Sequence, residues 1–157
     1  MQTELADFIR DTPAGREAEE ILRKCVHCGF CTATCPTYQL LGDELDGPRG
    51  RIYLMKQMLE GGEVSDKTRL HLDRCLTCRS CETTCPSGVH SSRLLDIGRE
   101  VAERKAPRSG VDALLRSLLK HFLPRSWLFT PAMKMGQAVR GFLPAALRAK
   151  VPAPQAS

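Results

Sequence analysis

The stretch Cys25–Pro36, CVHCGFCTATCP, recurs fifty residues later as Cys75–Pro86, CLTCRSCETTCP. These two stretches contain all eight cysteines of the 157-residue chain, and both have the spacing C-x2-C-x2-C-x3-C-P. The same offset also pairs Leu22 with Leu72, one turn before each motif. Because a solenoid needs at least three repeats, two copies predict a pair of equivalent sites instead.

The spacing is typical of ferredoxins that bind [4Fe-4S] clusters and whose fourth cysteine ligates the other cluster. Three thiolates, each separated from the next by two intervening residues, wrap around one cluster. The fourth precedes a chain-turning proline and points away. The sequence therefore predicts two [4Fe-4S] clusters with crossed ligands. Cluster I is assigned to Cys25, Cys28, Cys31 and Cys85, and cluster II to Cys75, Cys78, Cys81 and Cys35.

This assignment limits the distance between the clusters. Cys31 and Cys35 are four residues apart but belong to different clusters. Their alpha carbons are at most about 14 Å apart in an extended chain and roughly 6 Å apart in a helical turn. We therefore expect neighbouring clusters that exchange electrons through protein, without a diffusing carrier.

Zinc is the main alternative metal. Paired C-x2-C units also build zinc ribbons, and eight cysteines could bind two zinc ions in an interaction module. Zinc does not need the third and fourth cysteines that both copies contain, so the spacing favours iron and sulfur. Disulfides are disfavoured because thiols stay reduced in the cytosol.

The rest of the sequence indicates a cytoplasmic chain without a substrate site of its own. The opening MQTELADFIRDT is too acidic for a secretory signal, and no apolar stretch approaches the roughly 20 residues that span a bilayer. No catalytic triad, phosphate-binding glycine loop or flavin-binding fingerprint stands out. Asp43, Glu44 and Asp46 are interpreted as a solvated turn. We expect no catalytic residue and no cofactor beyond the clusters.

Helical periodicity predicts a mainly α fold. Thr12 and Pro13 resemble a helix cap and first turn, and Ala18, Ile21 and Leu22 then share a face with Cys25. Similar helical patterns follow Arg51 and Ser65. A third pattern, after the second cysteine motif, contains Leu94, Ile97, Gly98 and Val101. The segment 41–50, LGDELDGPRG, is predicted to be a loop. Residues 1–105 are thus predicted to be an α-helical ferredoxin-type domain with two cysteine loops.

Several polar residues near the motifs are candidates for tuning the clusters. His27 and His90 could hydrogen-bond a sulfur or be merely exposed, and Arg49 and Arg51 could neutralise a cluster, bind an anionic partner or form a polar helix start. Cluster-neutralising and solvated roles are equally open for Arg23, Lys24, Arg74 and Arg79.

Residues 106–157 are predicted to be a basic amphipathic tail or linker. Residues 1–103 contain 13 Lys/Arg and 17 Asp/Glu, whereas residues 104–157 contain 10 and one. Pro124, Pro131 and Pro144 are expected to divide the later tail into short pieces, and 151–157, VPAPQAS, to be disordered. Before the first of these prolines, a predicted helix has an apolar face formed by Val111, Leu114, Leu115, Leu118, Leu119 and Phe122.

Two roles are open for this tail. Its apolar face could pack on the ferredoxin half or on a partner subunit, which is the interpretation we favour. The combination of basic and apolar faces also suits peripheral contact with the inner face of the cytoplasmic membrane. We expect no nucleic-acid partner.

Three stretches resemble the N-terminal part of the iron–sulfur subunit of bacterial glycolate oxidase, closely over about residues 15–105. They are ILRKCVHCGFCTATCPTYQLLGDELDGPRGRIYLMKQMLEGGEV (21–64), HLDRCLTCRSCETTCPSGV (71–89) and LLDIGRE (94–100). The cysteine spacing alone would also fit subunits of anaerobic glycerol-3-phosphate dehydrogenase, lactate-utilisation (lactate dehydrogenase) complexes and heterodisulfide reductase. The block CPTYQLLGDELDGPRGRIYLMK favours glycolate oxidase.

The resemblance implies an electron-transfer subunit of an oxidoreductase complex. In that family, flavin-containing dehydrogenase subunits oxidise glycolate to glyoxylate, and the iron–sulfur subunit passes the electrons toward a quinone-linked acceptor. The family also has two C-terminal cysteine-rich CCG domains, whereas this sequence has no cysteine after Cys85. We therefore expect a truncated or split form.

Overall fold

The computed structural model describes residues 1–108 and 110–153, with the side chains of residues 146 and 147 excepted. Within these residues the chain consists of helices and loops and contains no strand, which confirms the mainly α prediction. It divides into two compact units, Met1–Pro107 and the residues from Arg108 onward. The predicted domain boundary after residue 105 stays a prediction.

The helices are mostly short, and 3-10 turns at Phe30–Thr32, Glu44–Asp46 and Arg140–Phe142 separate some of them. In chain order the α-helices are α1 (Asp7–Arg10), α2 (Pro13–Lys24), α3 (Pro36–Leu41), α4 (Pro48–Leu59), α5 (Asp66–Asp73), α6 (Ser80–Thr83), α7 (Ser91–Lys105), α8 (Gly110–Phe122), α9 (Ser126–Ala138) and α10 (Ala145–Arg148).

Helices α2, α4 and α5 pack around α7 to form the core of the first unit. Leu22 on α2 and Leu72 on α5 are both fully buried in it, as the internal repeat predicts. Helix α2 ends at Lys24, directly before Cys25, and α5 ends at Asp73, two residues before Cys75. Burial of the paired leucines therefore fixes the starting points of both cysteine loops on a common core.

Local capping explains where these two helices begin. The Thr12 hydroxyl accepts a hydrogen bond from the Gly15 amide at 3.0 Å, and the Ser65 hydroxyl accepts one from the Thr68 amide at 3.2 Å. Such caps satisfy amides that have no partner within the helix. The predicted helix starts at Pro13 and after Ser65 are confirmed.

The predicted loop over residues 41–50 is only partly correct. It contains the 3-10 turn Glu44–Asp46, and α4 begins at Pro48 instead of Arg51. Proline suits the first turn of a helix because its ring fixes φ and its missing amide hydrogen needs no partner there. The short helix Pro36–Leu41 was not predicted either.

The second unit contains the predicted amphipathic helix as α8, and five residues of its apolar face are exposed, namely Val111, Leu114, Leu115, Leu118 and Leu119. Pro131 lies inside α9, so the prediction that it breaks the chain there is wrong. None of the helices in the described part of the chain is both long and apolar enough for a bilayer crossing. The docking and membrane roles of the tail stay predictions, and residues 154–157 of the expected disordered terminus lie outside the described residues.

Gly50 lets the first turn of α4 approach the preceding 3-10 turn closely. A β-carbon at this position would lie 2.1 Å from the carbonyl oxygen of Glu44, a contact that only a backbone shift could relieve. The same turn holds Asp46 in the protein interior. Glycine at position 50 is therefore a packing requirement of the loop next to the cysteines.

We predict that Gly50→Ala destabilises the fold by about 1–3 kcal/mol, because the added methyl group overpacks a rigid backbone contact. Anaerobic thermal unfolding followed by far-ultraviolet circular dichroism measures the effect. Gly136→Ala is the control, since a β-carbon there has 3.9 Å to its nearest neighbour. Equal unfolding temperatures for the two variants would contradict the prediction.

Candidate metal centre

The two cysteine loops share an unusual backbone conformation. His27 and Thr77, which occupy equivalent positions, have φ angles of 56° and 55°, and Gly29 and Arg79 have φ angles of 84° and 61°. Left-handed backbone of this kind is costly for a β-branched residue such as Thr77, at about 1–3 kcal/mol. The internal repeat thus extends to a strained turn that both loops adopt.

Two cavities lie beside these loops. The first, called the Cys25 cavity, is lined by Cys25, Cys28, Cys31, Cys85 and also Cys81. The second, called the Cys35 cavity, is lined by Cys35, Cys75, Cys78 and Cys81. Each cavity therefore combines the first three cysteines of one motif with the fourth cysteine of the other, and Cys81 lines both.

The cavities are neighbours. Pro48, Ile52, Cys81 and Ser91 line both of them and form a common wall. The loops also touch at Thr34 and Thr84, an equivalent pair whose hydroxyl oxygens lie 3.3 Å apart. Thr84 and Thr34 each precede the fourth cysteine of a motif, so this contact joins the two segments that cross between cavities.

All eight cysteines are free thiols. Burial raises the pKa of Cys31 to about 11, and the neighbouring Cys81 adds to this effect. Burial likewise raises the pKa of Cys25 and Cys81, whereas hydrogen bonds to Ser80 lower the pKa of Cys78. Crowded, buried thiols are poor nucleophiles in the absence of metal, because each thiolate is desolvated and repelled by its neighbours.

This donor set fits an iron–sulfur cluster. Four sulfur atoms around each cavity match the all-thiolate ligation of [4Fe-4S] clusters, and soft sulfur ligands favour iron–sulfur clusters, zinc or copper over hard cations. Metal binding would also replace the repulsion between thiolates by bonds to a cation.

Besides Ser80 at Cys78, three side chains contact cysteine sulfur atoms at the Cys35 cavity. The Ser91 hydroxyl lies 2.9 Å from the Cys81 sulfur, and the Thr37 hydroxyl lies 3.2 Å from the Cys35 sulfur. The Arg51 guanidinium is 4.0 Å from the same Cys35 sulfur through Nη1. A ligated thiolate has no hydrogen of its own, so all three groups are potential donors to it.

Asp46 is fully buried behind this cavity, so its interpretation as part of a solvated turn is wrong. Its carboxylate contacts Arg74 Nη1 at 2.8 Å, His71 Nδ1 at 3.0 Å and Arg51 Nη2 at 3.5 Å. Burial opposes its ionisation, but the hydrogen bonds from His71 and Arg74 outweigh that effect and hold the pKa of Asp46 below its usual value. The carboxylate is therefore the counter-ion of a buried cationic group.

Asp43, Asp46 and His71 lie close enough to resemble a second metal site, with candidate ligand atoms within 4.8 Å of one another. Arg51 and Arg74 already neutralise the central carboxylate. In addition, Asp43 caps the 3-10 turn by accepting a hydrogen bond from the Leu45 amide. This cluster stabilises the turn and positions Arg51.

The other basic candidates have different surroundings. Arg23 and Lys24 form exposed ion pairs with Glu19 and Glu20 on α2, which favours the solvated interpretation. Arg79 lines the Cys35 cavity and pairs with Glu82, which is largely buried. Helical spacing explains the pairs on α2, since residues four positions apart are neighbours on a helix surface.

The two histidines also differ. His90 is exposed just before α7. His27 lines the Cys25 cavity, and its Nε2 atom is buried with no hydrogen-bond partner among the described residues. Burial and the nearby Arg49 charge lower the pKa of His27, so its imidazole is neutral at pH 7. A direct bond from either ring to a cysteine sulfur is absent from the described contacts.

Sequence reasoning missed two polar residues at the site. Arg99 on α7 donates to the carbonyl oxygens of Leu72 and Cys75, both at 2.9 Å, and so fixes the end of α5 and the start of the second loop. Ser91, at the start of the same helix, contacts the Cys81 sulfur. The helical periodicity of the sequence does not show which side chain of α7 contacts the end of α5.

Comparison with known proteins agrees with this geometry. Residues 21–89 match a family described as 4Fe-4S dicluster domain, and this segment contains all eight cysteines. The chain is thus an iron–sulfur protein, and the cofactor class predicted from the cysteine spacing is confirmed.

Individual relatives are more specific. The glycolate oxidase iron–sulfur subunit of Escherichia coli (strain K12) is 60% identical over 153 residues, which are 98% of this chain and 38% of that protein. The "Probable glycolate oxidase iron-sulfur subunit" of Bacillus subtilis (strain 168) is 39% identical over 110 residues, or 69% of this chain and 25% of that protein. The predicted resemblance is confirmed, and the chain spans well under half of each of these relatives.

More distant similarity reaches another enzyme. The succinate dehydrogenase iron–sulfur subunit of Paracoccus denitrificans is 27% identical over 93 residues, which are 55% of this chain and 36% of that protein. Iron–sulfur subunits of two different enzymes, glycolate oxidase and succinate dehydrogenase, therefore resemble this chain.

We predict that Asp46→Asn destabilises the fold by about 3–5 kcal/mol, because it leaves the buried Arg51 guanidinium without its carboxylate. Urea unfolding under anaerobic conditions at pH 7 measures the loss. Glu44→Gln is the matched control, since it breaks a half-exposed ion pair with Arg49 and should cost about 0–1 kcal/mol. Similar losses in both variants would show that the buried carboxylate is not required.

Proposed function

We propose that the chain is the electron-transfer iron–sulfur part of a flavin-dependent glycolate oxidase, also called glycolate dehydrogenase. It carries electrons from the reduced flavin of a partner subunit toward a quinone-linked acceptor. The observation that carries this proposal is the 60% identity with the E. coli protein of that name, over 98% of this chain. The two adjacent four-thiol cavities supply a physical basis for it.

The ligands follow the crossed assignment. Cys25, Cys28, Cys31 and Cys85 bind cluster I in the Cys25 cavity, and Cys75, Cys78, Cys81 and Cys35 bind cluster II in the Cys35 cavity. The lining of the cavities supports this assignment, because each fourth cysteine lies with the first three of the other motif. A bound [4Fe-4S] cluster accepts and releases one electron at a time.

Two neighbouring one-electron sites suit the proposed reaction. Oxidation of a 2-hydroxy acid releases two electrons, which a flavin accepts together. A chain with two adjacent sites matches this number. Since the sequence has no recognisable flavin-binding fingerprint, the substrate and the flavin belong to partner subunits in this proposal. We place the complex in the cytoplasm, with peripheral membrane contact as a role for the tail.

A related dehydrogenase complex is the second candidate. The similarity to a succinate dehydrogenase iron–sulfur subunit indicates that the dicluster segment does not by itself specify the substrate. Anaerobic purification of the tagged chain, followed by mass spectrometry of its partners, separates the candidates. Flavin subunits that oxidise glycolate in the purified complex support the proposal, and partners that oxidise a different substrate contradict it.

We predict that the anaerobically purified chain is brown, absorbs broadly near about 400 nm and contains about eight iron atoms, as two four-iron clusters require. Metal and sulfide analysis of the purified chain measures this directly. A colourless protein with two zinc ions would instead support the zinc-binding interaction module.

We predict that Cys35→Ser alters cluster II, whose other ligands lie 40 or more residues further along the chain. Electron paramagnetic resonance of the reduced protein detects the change, because loss of a thiolate ligand alters the cluster spectrum. Cys85→Ser is the matched control and should alter the other signal. If Cys35→Ser affected only the signal assigned to Cys25, Cys28 and Cys31 by separate substitutions, the crossed assignment would be wrong.

A further inference from the structure

The two cavities differ in the arginines that line them. Arg49 and Arg51 are two residues apart on α4, and Arg49 lines the Cys25 cavity whereas Arg51 lines the Cys35 cavity. Arg79 also lines the Cys35 cavity, but it is largely exposed and forms an ion pair with Glu82. The Arg49 side chain is 39% exposed and pairs with Glu44 at 2.6 Å. The Arg51 side chain is only 3% exposed. Solvent therefore screens the first guanidinium much more strongly than the second.

The charged groups behind the Cys35 cavity differ in their contact with sulfur. The Asp46 carboxylate lies between the guanidinium groups of Arg51 and Arg74, and the exposed Asp43 carboxylate lies within 4.8 Å of it. Of these groups, Arg51 is the one that contacts the Cys35 sulfur. At the Cys25 cavity the half-exposed Arg49 forms an ion pair with Glu44.

The donor hydrogen atoms near Cys35 show which side chain can donate to its sulfur. Thr37 has one hydroxyl hydrogen, and it donates this hydrogen to the carbonyl oxygen of Asp46 at 2.8 Å. The Thr37 oxygen accepts from Arg51 Nη1 at 3.1 Å. The same nitrogen carries a second hydrogen and lies 4.0 Å from the Cys35 sulfur. Thr37 therefore orients Arg51, and Arg51 is the group that can donate to a ligated Cys35.

Ser91 adds a second donor at this cavity. Its hydroxyl is 2.9 Å from the Cys81 sulfur and must be the donor when that sulfur is a thiolate. Among the described contacts, no side chain donates to the sulfur of Cys25, Cys28, Cys31 or Cys85. The residue fifty positions after Arg51 is Val101, which is buried and apolar. The repeat thus copies the cysteines without copying these donors.

We propose that Arg51, held by Thr37 and Asp46, acts with Ser91 to make the Cys35 cavity the higher-potential of the two cluster sites. A cluster with four thiolates is anionic and becomes more negative on reduction. A buried positive charge and hydrogen bonds to its sulfur ligands therefore stabilise the reduced form. Arg51 and Ser91 are positioning and tuning residues in this inference, which rests on the proposed function.

The test is an anaerobic redox titration of the full chain, with both clusters loaded and monitored by electron paramagnetic resonance. Cys35→Ser and Cys85→Ser assign the two signals. In the wild-type chain, the signal assigned to the Cys35 cavity should have the higher midpoint potential. Equal midpoints, or the reverse order, overturn the inference.

The decisive variant is Arg51→Gln. We expect it to shift the reduction equilibrium of the Cys35 site at least tenfold toward the oxidised form, which is about 59 mV for one electron. The other site should not change. Arg49→Gln is the matched control on the same helix and should shift either site less than twofold, because Glu44 and solvent already offset its charge. An unchanged Cys35 site in Arg51→Gln overturns the inference.

Arg51→Gln could fail to fold, so a milder pair gives an independent answer. Ser91→Ala removes one hydroxyl and should lower the same midpoint, while Ser87→Ala, which changes a hydroxyl lining the Cys25 cavity, should leave the Cys35 site unchanged. No shift in Ser91→Ala overturns the inference. Iron content separates this failure from a failure of the proposed function. A wild-type chain without iron refutes that function, whereas eight irons with unshifted variants refute only the tuning role.

Discussion

The arrangement depends on the crossing of the fourth cysteine of each motif into the cavity of the other. Cys35 and Cys85 lie with the opposite motifs, so neither cavity has four sulfur atoms unless both loops are in place. Paired burial of Leu22 and Leu72 positions the helices that lead into the loops, and the Thr34–Thr84 contact joins them where they cross. Formation of either site therefore requires the packing of both halves of the first unit.

The same crossing explains why strain and repulsion are tolerated in these loops. Thr77 and Arg79 adopt left-handed backbone, and burial makes the thiolate forms of Cys25 and Cys31 unfavourable without metal. The left-handed backbone and the buried thiolates both lie within the cysteine loops, whereas the groups that stabilise these loops are distant in sequence. Arg99, for example, reaches from α7 to the Thr77 hydroxyl at 3.3 Å and to the Cys75 carbonyl oxygen. Because a cluster would find its four thiolates together only in the folded arrangement, cluster binding would be coupled to the folding of these loops.

The features that could be predicted from the sequence are those that a short pattern determines. Side chains within a few residues determine the helix cap at Thr12, the start of α5 after Ser65 and the burial of Leu22. The burial of Asp46 could not be predicted, because LGDELDGPRG has the composition of an exposed turn and only Arg51, Arg74 and His71, brought in by tertiary packing, make a buried carboxylate tolerable. Pro131 was misjudged for a related reason, since a proline disfavours a helix without always ending it.

A duplicated motif does not require duplicated surroundings. The spacing of the cysteines fixes how sulfur atoms are presented, and both copies keep it without change. The residues around the sulfur atoms are free to differ, as Arg51 and Val101 do at equivalent positions. Charge acts over longer distances in a poorly solvated interior than at the surface. The buried Arg51 guanidinium next to Cys35, two residues after the solvent-screened Arg49, is therefore the difference on which the proposed inequality of the two sites rests.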